Sequence, residues 1–235
     1  MALLFFRNHQ LWRHDGKQKS LLSTAVGTAG VSLLEQLRCR LLQHPPQLRA
    51  HDDYDFAPEP VPAALGALKA AVLLPILDAK EPRLLFTRRT ESLAKHSGQV
   101  SFPGGRSEEG DLSAIETALR ETFEEIGIAS NYITVAGYLD RYLTGTGFDI
   151  QPVVGMLSEG FMLAPDPREV AHVFEVPLAF LLDPANRRRE ERQIGGRLRR
   201  FYAFHYEGHE IWGETAAIVV DLAERLSDIS IAHAD

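Results

Sequence analysis

The chain has 235 residues, of which 45% are hydrophobic and 24% charged, with 18 Gly and 13 Pro; this fits one large domain with appendages and excludes a collagen-like or wholly disordered chain. Lys and Arg number 25 against 32 Asp and Glu, a net charge of −7 with His neutral, whereas a general nucleic-acid binder is more often basic, so nucleic acid is not the expected partner. The one cysteine, Cys39, excludes an intrachain disulfide and any metal site built from several cysteines, and points to a reducing compartment, the cytoplasm.

Residues 1–20 begin with a short apolar run followed by mixed polar residues, with four Lys or Arg against one Asp. A secretory signal places its charge before a longer apolar core, so export is not expected. The segment reads as a basic tail, with a membrane- or organelle-directing role as the competing reading. No window supplies the roughly 18 apolar residues that a bilayer span requires, so no stable membrane insertion is expected. Residues 31–42 set Leu33, Leu34, Leu37, Leu41 and Leu42 near one helical face, which predicts an amphipathic helix. Prolines at 45, 46, 58, 60 and 62 then forbid continuous helix or central strand, leaving a linker or wrapping loop. We therefore divide the chain into an N-terminal extension, residues 1–65, and a main domain, residues 66–235.

In the main domain, strands are expected over 70–77 and 84–87, a Gly-rich turn over 101–110 and a helix over 112–126. Further strands are expected over 132–139, 150–157, 201–206 and 210–212, and helices over 176–182 and 214–226. Hairpin-like pairs alternate with helices and nothing repeats, which predicts an α+β domain with a mixed sheet between helices. His205, Tyr206, His209 and Trp212 are expected to finish paired strands rather than to form a separate histidine metal site. The run 187–200, with seven Arg and two Glu, reads as an exposed hairpin or as an attractor of substrate phosphate.

The helix at 112–126 carries the chemistry. Advancing about 100° per residue, Ile115, Leu119, Phe123 and Ile126 fall within an arc of roughly 80°, and Glu121, Glu124 and Glu125 occupy the opposite side. This predicts a buried apolar stripe with a carboxylate face turned away from it, and Arg120 bordering that face, placed to pair with one of those carboxylates or with a nearby loop acid. Gly127 follows as a left-handed C-cap, while Ser113 and Asp111 compete as N-cap. Carboxylates near a helix C-terminus repel the dipole and one another, a penalty that hard divalent cations would offset; a solvated acidic face is the plainer reading. What favours a site is Phe102-Pro103-Gly104-Gly105 just upstream, whose backbone can approach a ligand closely. It is not a P-loop, since no Gly-Lys-Ser/Thr follows.

With these motifs in place, residues 84–128 resemble the Nudix hydrolases, and more closely their coenzyme A pyrophosphatase branch. Arg120 through Ile128 match the second half of the Nudix box, with Thr122 in its usually apolar slot. The first half departs from it: Asp111 stands in place of Glu, and eight residues rather than seven separate it from Arg120. Upstream, LLFTRRTESLAKHSGQVSFPGG, residues 84–105, resembles the branch motif, although Phe86 intervenes before Thr87.

The resemblance implies an α/β/α sandwich and hydrolysis of a diphosphate bond with Mg²⁺ or Mn²⁺. In the branch the substrate is coenzyme A or a derivative and the products are 3′,5′-ADP and 4′-phosphopantetheine. The alternatives are another nucleoside diphosphate derivative, such as NADH, ADP-ribose or a dinucleoside polyphosphate, and a non-catalytic nucleotide sensor. By motif, Glu121, Glu124 and Glu125 are the catalytic metal ligands, assisted by the Gly104 or Gly105 carbonyl and by a further acid, Glu169, with Glu175 as competitor. Alternation sends Arg88 and Arg89 to opposite faces; we expect Arg88 to contact the diphosphate, with a surface ion pair as the other reading. His96, Gln99, Gly104 and Gly105 complete the expected substrate contacts. The partner is thus a small molecule, and a homodimer is compatible with everything the sequence shows.

Overall fold

A computed structural model describes residues 31–47, 66–91, 98–144, 146–194 and 196–227. His96, the basic segment at 1–20 and most of the proline-rich stretch lie outside the described residues. The chain divides between Val31 and Ser32, so the first helix, α1 (Leu33–Arg40), belongs to the same compact unit as the sheets. Its N-terminus is fixed by a reciprocal cap, in which the Ser32 hydroxyl accepts from Glu35 N–H and the Glu35 carboxylate accepts from Ser32 N–H.

The sheet is organised around β1 (Leu68–Leu77), whose Leu73, Leu74 and Ile76 are wholly buried. Such a run, apolar on both faces, suits a strand covered from both sides. It pairs parallel with β7 (Phe148–Leu157) along its whole length. On its other side it pairs antiparallel with β4 (Gly104–Arg106) through Ala70–Val72 and with β2 (Arg83–Arg89) through Ile76 and Leu77. Pro75 falls between those two pairings, where a missing donor costs least. β3 (Val100–Ser101) and β8 (Val170–Pro177) flank β2, while β5 (Ile133–Tyr138) and β6 (Tyr142–Leu143) pair with β7, completing an eight-stranded mixed sheet.

One face of this sheet packs Ala71, Leu73, Leu85 and Val153 against α2 (Ala114–Ile126). The other packs Leu74, Ile76, Phe86, Phe174 and Val176 against α4 (Gly213–Arg225), α3 (Leu178–Leu182), α1 and a three-stranded sheet. That second sheet comprises β9 (Arg188–Ile194), β10 (Arg197–Tyr206) and β11 (His209–Trp212). The expected α+β class, a mixed sheet between helices, is what the chain forms.

One expected element is corrected. Residues 176–182 do not form a single helix: Val176 and Pro177 end strand β8, and α3 begins at Leu178. Pairing decides the matter, because β8 runs antiparallel to β2 with Phe174 opposite Phe86, and their rings stack at 5.6 Å. The arginine-rich run forms the β9–β10 hairpin, where Arg187 pairs with Glu224 at 3.0 Å and Arg200 with Glu191 at 2.7 Å.

Candidate metal and substrate site

Helix α2 starts where the Ser113 hydroxyl accepts from Glu116 N–H, and stops at Gly127, whose φ of 77° is left-handed. Ser113 is therefore the cap, and Asp111 is free for another task. The buried side of α2 is Thr117, Ala118, Thr122, Glu125 and Ile126, while Phe123 is 57% and Leu112 87% exposed. The expected arrangement holds in part: Ile126 is buried, Ile115 and Leu119 pack against the core and Glu124 is exposed, but Glu125, expected on the outer side, is only 5% exposed and faces the sheet. Small side chains are the reason. Thr117, Ala118 and Thr122 let the helix settle onto β4, and Thr122 satisfies its own hydroxyl by donating to the Ala118 carbonyl at 2.6 Å.

The diglycine makes this approach feasible. A Cβ on Gly105 would lie 2.5 Å from the Glu121 carboxyl carbon, and one on Gly104 would lie 2.4 Å from the Ala71 carbonyl oxygen. With no side chain there, Gly104 N–H donates to Glu125 Oε2 at 3.3 Å. Arg89 approaches from β2, its Nη1 3.7 Å from Glu125 Oε1 and its Nη2 3.8 Å from Glu169 Oε2. Burial pushes the Glu125 carboxyl up to about 8, against the Gly104 N–H and Arg89, with Glu121 and Glu169 adding repulsion. Glu121 is also raised, chiefly by burial, while Arg120 works in the opposite direction.

Arg120 ties the rest together. Its Nη1 donates to Glu121 Oε1 and to Glu124 Oε2, each at 3.0 Å. It is held from behind by Asp111, which accepts from Nε at 3.1 Å and from Nη2 at 2.9 Å, and by the Arg106 carbonyl. Asp111 also accepts from Glu108 N–H and from the Thr117 hydroxyl, and the Arg120 hydrogen bonds hold its carboxyl well below the ordinary range. Arg120 thus pairs both with two of the glutamates and with a nearby loop acid, Asp111, nine residues away, which does not serve as the N-cap.

The structure therefore brings Glu121, Glu124 and Glu125 together with Gly104, Gly105 and Glu169. Glu175 lies elsewhere on β8, paired with Arg83 at 3.1 Å. Arg88 sits on the opposite face from these acids, opposite His172 and 3.8 Å from Glu91, so the arginine that reaches the carboxylates is Arg89. Gln99 contributes its carbonyl, which accepts from Arg89 N–H at 2.9 Å. An all-oxygen donor set of clustered carboxylates, beside a backbone cradle that a single Cβ would fill, fits a hard divalent cation. Elsewhere, on β9, β10 and β11, Glu190, His205 and Glu210 place ligand atoms within 4.8 Å of one another, a cluster compatible with a divalent metal ion.

The pattern of the NUDIX domain matches residues 67–204. The chain belongs to the Nudix family. It is 40% identical over 170 residues to the uncharacterized Nudix hydrolase NudL of Yersinia enterocolitica, covering 72% of this chain and 87% of that protein. To NudL of Photorhabdus laumondii it is 42% identical over 157 residues, 67% of this chain and 84% of that protein. Among solved structures, the Nudix hydrolase RenU of M. smegmatis aligns with a TM-score of 0.47 at 19% identity, over 72% of this chain and 91% of that one. Among the described residues no helix of this Nudix protein is long and apolar enough to cross a membrane.

Proposed function

We propose that this Nudix protein hydrolyses the diphosphate bond of a small nucleoside-diphosphate-linked compound. The observation that carries the reading is the convergence of Glu125 and Glu169 on Arg89, with Glu121 against Gly105 in the diglycine of β4. Glu121, Glu124, Glu125 and Glu169, with the Gly104 carbonyl, would hold Mg²⁺ or Mn²⁺. Bound there, the cations would neutralise diphosphate charge and acidify a water. Arg120, fixed by Asp111, orients two of the four carboxylates. Arg89 offers a guanidinium to a diphosphate oxygen once cations take over its carboxylate partners.

Within this class, coenzyme A or an acyl derivative is the finer reading, resting on the sequence of residues 84–105; NADH, ADP-ribose and dinucleoside polyphosphates stand beside it. Mass spectrometry of each compound incubated with the protein and Mg²⁺ or Mn²⁺ separates them. Preferential release of 4′-phosphopantetheine and 3′,5′-ADP supports coenzyme A, and AMP-containing products from the other compounds support the alternatives. Tight binding without any product would replace hydrolysis by nucleotide sensing.

A further inference from the structure

We propose that Glu190, His205 and Glu210 form a second metal site that takes a borderline transition-metal ion such as Zn²⁺ and lies apart from the α2 carboxylates. Alternation along β10 puts Phe204 into the core shared with α4 and turns His205 to the other face of the three-stranded sheet. His205 and Glu210 are direct cross-strand partners, and Glu190 reaches in from β9, its Oε1 2.7 Å from His205 Nε2. Three hydrogen-bonded strands therefore present one nitrogen and two carboxylates already within 4.8 Å of one another. Side-chain rotation alone must close the set to the roughly 2.0–2.2 Å bonds of a zinc ion. Helix α2 packs on the opposite face of the large sheet, so this cluster shares no residue with the carboxylates described above.

Arg192 decides how the cluster is read. Its Nη2 donates to Glu190 Oε2 at 3.2 Å and to Glu210 Oε1, and its guanidinium lies 5.0 Å over Phe201 and 5.3 Å over Trp212. It thus takes one oxygen of each carboxylate and leaves Glu190 Oε1 turned to His205. An outer partner of this kind orients ligating carboxylates and lowers two negative charges to a net of one, which a dication can still neutralise. The imidazole selects Zn²⁺, Co²⁺ or Ni²⁺ over Mg²⁺, which prefers oxygen alone.

The test is Zn²⁺ stoichiometry on the full chain, measured by equilibrium dialysis in saturating Mg²⁺ so that oxygen-only sites are occupied. Wild-type protein should bind one Zn²⁺ equivalent more than His205→Gln and than Glu210→Gln. Both variants should keep wild-type turnover with Mg²⁺ and wild-type circular dichroism, which reports that the hairpin has folded. In wild-type protein one imidazole nitrogen resonance, the one missing from His205→Gln, should shift on adding Zn²⁺. Equal stoichiometry in all three folded proteins would overturn the site and leave an ion-pair network centred on Arg192.

Discussion

Replacing Glu125 by Gln separates the charge of the buried carboxyl from its shape, since the amide keeps an oxygen for Gly104 N–H. The carboxyl rises from 4.5 to about 8 on burial, so between those values the folded protein binds more protons than the unfolded one. Stability is therefore fully present below about pH 4.5 and falls as the pH rises toward 8. At about 1.4 kcal/mol for each pH unit between 4.5 and about 8, the loss is bounded at roughly 5 kcal/mol. Urea unfolding of wild type and Glu125→Gln in chelator, at pH 5, 6, 7 and 8, measures it. The variant should become the more stable protein as the pH rises, and the two curves should approach one another toward pH 5. Adding Mg²⁺ at pH 8 should then stabilise wild type far more than the variant, because an ion bound only by the folded state adds its binding free energy. Parallel stability profiles with and without Mg²⁺ would refute both the buried charge and its role as a cation ligand.

Of three further perturbations, two probe the supports of the site and one the ring packing of β11. Gly105→Ala places a Cβ 2.5 Å from the Glu121 carboxyl carbon; overpacking of this kind costs about 1–3 kcal/mol, and a Mg²⁺ titration of turnover should show weakened metal dependence alongside a lowered melting temperature. Asp111→Asn removes the charge behind Arg120, whose bonds to Asp111 measure 2.9 and 3.1 Å; we expect a loss of roughly 2–4 kcal/mol and a fall in kcat, read by chemical unfolding and steady-state kinetics. The lowered Asp111 carboxyl also makes wild type lose this contribution as the pH falls below the ordinary aspartate range, and the variant should lack that acid-dependent step. His209 is depressed below 6.5 by burial first and then by His172 and Arg88, with Glu207 opposing. The unfolded chain therefore takes up the proton first, and stability should decline as the pH drops below 6.5. His209→Phe, which retains a ring against Phe174, should flatten melting temperature between pH 5 and 7, and an unchanged slope would count against the burial of this imidazole.

Much of the scaffold was legible because its signals are long and local. The apolar run of β1, the strand at β7 and the helices α2 and α4 fall where periodicity predicts them, and Gly127 ends α2 in the left-handed conformation its position requires. What escaped depends on contacts distant in sequence. Strand β8 alternates Phe174 and Val176 toward the core, but only pairing with β2 shows that Val176 continues a strand rather than opening a helix. Likewise, alternation separates Arg88 from Arg89 without saying which face α2 will cover. The choice was settled by which residues on the neighbouring elements lie opposite each face: Glu125 and Glu169 on one, Phe86 and Phe174 on the other.

The rotation of α2 away from its apolar stripe has the same origin as the candidate site. A helix placed by apolar periodicity alone would bury Phe123 and expose all three glutamates, as the wheel predicts. Two contacts outside the helix turn it instead: the Asp111 clamp on Arg120 draws in the flank bearing Glu121, and the side-chain-free surface of Gly104 and Gly105 admits that carboxylate together with Glu125. An exposed Phe123 and a buried Glu125 are then two consequences of one rotation, each unfavourable in isolation. A sequence optimised only for folding would avoid both. Apolar periodicity misplaces this helix because its buried face sets a carboxylate, Glu125, against the Gly104 backbone beside the core residues Ala118 and Ile126.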